Sequence, residues 1–243
     1  MTTYKASLQM RLELAAVRHR VKPLARLVVQ AESAKDVRDM VVSQGLAYYE
    51  TGLSLQPVTE ILGGSLVRTV DGDRQQGAVE VIYAVPRGCE ERADDLREME
   101  TGSASDEAIG VALGYPKCCT KAYWHHVTAP DWLSSVLANS EGRGPVLAAC
   151  NRLARLFGDW AILPDYIPCS FMCEASGDLA ERVSEAGRAD GFGPEIEATW
   201  VELCRPIRIS GRELLRCCIP PQFVELGCEY PAPRVLVWSR KVS

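Results

Sequence analysis

The sequence lacks any apolar run approaching the ~20 residues needed to cross a bilayer, and its opening Met1-Thr2-Thr3-Tyr4-Lys5 leads into mixed charge instead of a signal-peptide core. A cytosolic protein with no membrane partner is the expectation. Also missing are a glycine-rich phosphate loop, a Gly-x-Ser-x-Gly elbow and a His-Glu-x-x-His helix, which argues against nucleotide-dependent phosphoryl transfer and serine hydrolase chemistry. A dense basic surface is absent too. The formal charge is −5 and the pI near 5.4, so nucleic acid is not the expected partner. The basic residues of the first forty positions, Arg11, Arg18, Arg20, Lys22, Arg26 and Arg38 among them, are spread and interleaved with Glu13, Glu32 and Asp36; that pattern reads as a solvated helix face, with a docking patch as the alternative. The 243 residues, about half of them apolar, suffice for one large domain or two small ones, and with no repeat, low-complexity tract or obvious linker one compact unit is the preferred reading.

Local signals predict an α+β fold, mostly helical, with a small antiparallel sheet. A helical N-terminal extension covers residues 1–63. Within it the apolar positions Leu8, Leu12, Ala15, Ala16 and Leu27 predict a helix from Ala6 to Gln30 interrupted at Pro23, and a second helix starts near Ser33 or Ala34. An α+β cysteine-motif domain covers residues 64–243. It opens with two strands, Ser65–Val70 and Ala78–Val85, joined by the polar Asp71-Gly72-Asp73 as a hairpin. Helices follow at Glu90–Glu100, at Ser103–Leu113 with Ser103 as cap and Gly114 and Pro116 as stop, and from Pro116 to Val127. Further helices are expected at Gly144–Gly158, at Cys169–Ala186 after an irregular approach from Trp160, and from Pro194 to Cys204; short strands are expected at Ile207–Ile209 and Val235–Trp238.

What the chain has in number is cysteine, ten in all. In a reducing compartment these are expected as thiols or metal ligands. Two segments share a context: Tyr115-Pro116-Lys117-Cys118-Cys119 and Tyr166-Ile167-Pro168-Cys169-Ser170-Phe171-Met172-Cys173 each present cysteine just after an aromatic residue and a proline, at predicted helix starts. The unpaired N–H groups and positive dipole end found there favour thiolate, the form that binds metal or attacks electrophiles. Cys169 and Cys173, four apart, would share one helical face. The four thiols are therefore read as one metal or cluster site, with Cys89 a fifth candidate. Because adjacent side chains diverge, the vicinal pair is read as favouring an iron–sulfur cluster, whose irons can take neighbouring cysteines separately, over zinc; metal-free thiol redox chemistry is the third alternative.

With Cys89 included, the spacing resembles the cysteine-rich CCG domains of heterodisulfide reductases, although Thr120 stands where that motif has glycine and the closing pair encloses three residues where the family has two. Leu113-Gly114-Tyr115-Pro116-Lys117-Cys118-Cys119 and Pro168-Cys169-Ser170-Phe171-Met172-Cys173 resemble more closely an archaeal and bacterial domain family of unknown function, marked by Leu-Gly-Tyr-Pro-x-Cys-Cys and then Pro-Cys-x-x-x-Cys. That resemblance spans Val79 to Val183 and implies that the four cysteines act together; it supplies no reaction.

The other candidates carry ordinary readings beside functional ones. Cys150 and Cys204 read as core cysteines. Cys217, Cys218 and Cys228 would make a second site only if a strand did not turn Cys217 and Cys218 to opposite faces. His125 and His126, two turns beyond Cys118, are candidate ligands or proton-transfer groups, with dipole-favoured surface histidines as the alternative. His19 reads as structural, and Glu174 and Asp178 read as dipole complements with a catalytic alternative. The functional expectation is a metal- or cluster-dependent enzyme of small-molecule metabolism or biosynthesis, using the centre as Lewis acid, redox centre or sulfur handler. The alternatives are a zinc-stapled interaction protein and a metal-free thiol protein.

Overall fold

The computed structural model describes residues 6–61, 64–71, 79–128, 132–140, 146–157, 163, 166–218 and 221–240. Gly72, Asp73, Gly144, Gly158 and Trp160 lie outside the described residues, as does the side chain of Cys228. The chain forms two compact units, Met1–Lys117 with Arg182–Asp190, and Cys118–Glu181 with Gly191–Ser243. The architecture is α+β with two antiparallel sheets. Among the described residues no helix is long and apolar enough to cross a membrane.

In the first unit α1 (Leu8–Arg18) begins at Ser7, whose hydroxyl accepts from the Met10 N–H at 3.2 Å. It ends where Arg20 turns to φ 59° and Val21 N–H donates back to the Ala16 carbonyl. The chain then leaves as β1 (Ala25–Gln30), not as more helix. Ala25, Leu27 and Val29 are buried in alternation with their neighbours, and this period-2 pattern is what the apolar residues after Pro23 serve. α2 (Ala34–Ser43) follows as predicted, then β2 (Leu46–Ile61), β3 (Gly64–Asp71) and β4 (Val79–Pro86). The sheet order is β1-β4-β2-β3, with every pair antiparallel. Two expectations fail here. β3 turns back on β2, with Ile61 opposite Gly64, so β3 and β4 are not a hairpin. Residues 1–63 are not a helical extension either, because β1 and β2 supply half the strands of this sheet.

The sheet is covered on both faces, which explains the unbroken apolar run Val81-Ile82-Tyr83-Ala84-Val85 in central β4. Ile82 and Ala84 face a core formed with Leu14, Val17, Val37 and Val41 of α1 and α2. Val81, Tyr83 and Val85 face a second core with Ala93 and Leu96 of α3 (Glu91–Thr101) and Leu113 just after α4 (Asp106–Ala112). Each of the buried Leu, Ile and Val side chains among them contributes about 1.5–3 kcal/mol by leaving water. The cap of α4 is Ser105, accepting from Ala108 N–H at 3.3 Å, and not Ser103. Beyond α4, Gly114 has φ +83°, and an added Cβ would lie 2.6 Å from Cδ of Pro23, so only glycine fits. Tyr115 receives the Lys22 ammonium over its ring at 4.9 Å, and that buried cation pairs with Glu13. The Leu-Gly-Tyr-Pro segment is thus fixed before the cysteines begin.

The second unit starts with α5 (Lys117–Thr128) and α6 (Trp132–Ser140). The helix expected over Gly144–Gly158 is instead two short 3-10 turns, Ala148–Cys150 and Arg152–Phe157. They are separated at Asn151, whose side chain accepts from Ala154 N–H and donates to the Leu203 carbonyl, replacing helical bonds. α7 (Glu174–Ala189) belongs to this unit as far as Glu181, and α8 (Gly193–Leu203) opens with proline in its first turn. β5 (Ile207–Arg216) and β6 (Gln222–Leu236) pair as a hairpin much longer than the short strands expected. The core gathers Leu133, Val136, Cys150, Leu153, Ile196 and Ile209, and Phe171 packs edge-on against Trp238 at 5.1 Å.

Candidate metal centre

Two elements deliver the thiols. α5 starts at Lys117, so Cys118 and Cys119 are its second and third residues. Successive helical residues lie about 100° apart around the axis, and side chains tilt toward the N-terminus, so at a helix start both sulfurs lean past the end of the backbone. Their separation of 3.9 Å shows convergence where divergence was expected. Cys169 and Cys173, in contrast, do not share a helical face. They lie in the loop before α7, which begins at Glu174. There the Cys173 N–H donates to the Ser170 carbonyl at 3.3 Å, and the Cys173 carbonyl accepts from Gly177 N–H at 3.1 Å, so this residue closes the loop and opens the helix.

The loop is held from α6. Asn139 donates to the Cys169 carbonyl at 3.2 Å, the Ser140 hydroxyl accepts from Phe171 N–H at 2.9 Å, and the Phe171 carbonyl accepts from Leu147 N–H at 2.8 Å. These bonds position the two loop cysteines using only protein groups. His126 is buried on α5 with Nδ1 at 2.9 Å from the Ser135 hydroxyl, and burial pushes its pKa down. His125 and Glu174 are exposed, and none of the three belongs to the sulfur group.

The sulfurs of Cys118, Cys119, Cys169 and Cys173 all lie within 4.8 Å of one another. Cys118 stands 3.7 Å and Cys119 3.6 Å from Cys173. None of the four is in a disulfide. The thiols are strongly coupled: hydrogen bonds from Cys119 and Cys169 pull Cys173 down, while the same contacts and burial push Cys119 up. A bound cation would favour the anionic form of all four. The group can hold a metal.

Around it, the Cys169 N–H donates to the Cys119 sulfur at 3.4 Å, and the buried Ser176 hydroxyl lies 3.3 Å from the same atom. Tyr166 donates to Ser176 at 2.8 Å. Sequence reasoning noted Tyr166 only as the aromatic residue ahead of Pro168 and Cys169 and missed this relay. The sole hint was a serine three residues after Cys173, a spacing that returns Ser176 to the cluster side of α7. Cys150 is fully buried, its thiol 3.9 Å from the Cys173 carbonyl, as a core cysteine should be. Cys89 belongs to the first unit and is outside the four; Cys217 and Cys218 follow β5 and are outside them as well.

Comparison with family models, with curated proteins and with solved structures gives no match for this chain.

Proposed function

We propose that the protein is a zinc protein in which Cys118, Cys119, Cys169 and Cys173 bind one tetrahedral ion that ties the start of α5 to the loop before α7. One observation carries this reading. A Zn–S bond of about 2.3 Å gives a tetrahedron with edges of about 3.8 Å, and the closest sulfur separations here are 3.6, 3.7 and 3.9 Å. An iron–sulfur cluster places several irons and sulfides between its thiolates and spreads them farther than a single ion does. The compact spacing therefore favours zinc over the cluster that the vicinal pair suggested. The likeness to the Leu-Gly-Tyr-Pro-x-Cys-Cys family supports the four residues acting as a set.

Four protein ligands close the coordination sphere, and this favours a structural ion over a Lewis acid with an open position. The N–H and O–H donors at Cys119 and the N-terminal dipole of α5 offset part of the net −2 charge of the tetrathiolate centre. Elemental analysis of anaerobically purified protein tests the proposal. One zinc per chain without acid-labile sulfide is expected, and it should be lost in Cys119→Ala and Cys173→Ala. Iron with stoichiometric sulfide would restore the cluster enzyme, and protein isolated without bound metal would leave thiol redox chemistry.

A further inference from the structure

The four thiols of the centre differ in surroundings. Cys119 and Cys173 are 2 % and 6 % exposed, and Cys169 is half-buried. Cys119 is additionally hydrogen-bonded by the Cys169 amide and lies beside the Ser176 hydroxyl. Cys118 is exposed, and among the described residues the neighbours of its sulfur are the other sulfurs of the group, Cys119 at 3.9 Å and Cys173 at 3.7 Å, with Cys169 within 4.8 Å. Hydrogen-bond donors draw electron density from a thiolate and weaken it as a nucleophile, and burial denies it a partner. A divalent ion keeps a thiolate anionic at neutral pH without either handicap. With a divalent ion bound, Cys118 would be the most exposed of the four thiolates, and among the described residues no N–H or O–H donor stands at its sulfur.

We infer that Cys118 is the reactive ligand of the zinc centre, a metal-held thiolate that accepts an alkyl group from a small electrophile. The inference rests on the zinc reading. In the step itself, the Cys118 sulfur forms a bond to the electrophilic carbon while the bond from that carbon to its leaving group breaks. The leaving group departs with the bonding pair. No electron is exchanged with an external reagent. The thiolate becomes a thioether and the net charge of the centre rises from −2 to −1, which weakens one bond to the ion while Cys119, Cys169 and Cys173 retain it. The exposed position at the second residue of α5 suits a compact electrophile that arrives from solvent.

The test uses full-length protein whose zinc content has been measured, treated with less than one equivalent of iodoacetamide and mapped by mass spectrometry. Cys118 is expected to carry at least about tenfold more label than Cys119, Cys169 or Cys173, with iodide released and zinc still bound after the first alkylation. Removing the hydroxyl in Ser176→Ala should narrow this ratio by undamping Cys119, a change that global loosening would not confine to that one sulfur. Stoichiometric zinc with first labelling at Cys169, or with equal labelling of all four, overturns this inference and leaves the zinc reading standing. Protein without zinc overturns both.

Discussion

The two units solve the same stability problem by different means. The first buries a four-stranded sheet between helices, so that β4 is apolar on both faces and its neighbours complete two cores. The second has a two-stranded sheet, two 3-10 turns in place of an expected helix, and polar side chains such as Asn139, Ser140 and Asn151 that hold its loops. Where regular structure is scarce, fewer backbone groups are satisfied by ladders, and specific side chains must replace them. The thiol cluster sits in that unit. A metal held there would supply what a larger sheet supplies in the first: long-range constraint at small cost in chain length.

This contrast predicts effects that should separate. Cys119→Ala removes an inner ligand, and the second unit should lose on the order of several kcal/mol of protection. Amide hydrogen exchange resolved by segment should show the loss at α5 and Cys169–Cys173 while β1 and β4 keep theirs; uniform loss across both units would break the comparison. Leu96→Ala is the reverse experiment. It empties a fully buried position in the first unit and should cost roughly 2–5 kcal/mol in denaturant unfolding with zinc content unchanged. The smallest effect is acid-dependent. The hydrogen bond from Arg205 lowers the Glu202 pKa against the push of burial, and Arg216 adds to it. A folded pKa below the unfolded value contributes stability that is present above the usual carboxylate range and lost as pH falls through the folded pKa. Glu202→Gln should therefore flatten the fall of melting temperature on acidification below about pH 4.3, and parallel curves for the two proteins would remove Glu202 from the account.

The sequence disclosed the centre more readily than the fold. The helix expected from Pro116 begins one residue later at Lys117, and α2, α3 and α8 form within a residue or two of where composition and apolar spacing placed them, without a side-chain cap at any of the three. β1 was hidden because Leu24, Leu27 and Val28 satisfy a helical period while Ala25, Leu27 and Val29 satisfy an alternating one over the same short span. β2 and β6 were hidden because both contain proline, which argues against a strand. In β2, Pro57 falls at an irregularity in the register; in β6, Pro231 and Pro233 lie in a strand of a two-stranded sheet, where an N–H can be spared. The grouping of the four thiols could be proposed from their shared contexts. The geometry at Cys169 and Cys173 could not, because Asn139 and Ser140, which fix that loop, lie thirty residues away in sequence.

The adjacency of Cys118 and Cys119 would also govern exchange of a bound ion. Helix ends fray faster than helix interiors open, and both residues occupy the first turn of α5. When that turn unwinds, half of the donor set departs in a single motion; when it rewinds, both sulfurs return together. Release of the ion would then be timed by one helical turn, and a substitution that lengthens the life of that turn would lengthen the residence of the metal without touching a ligand.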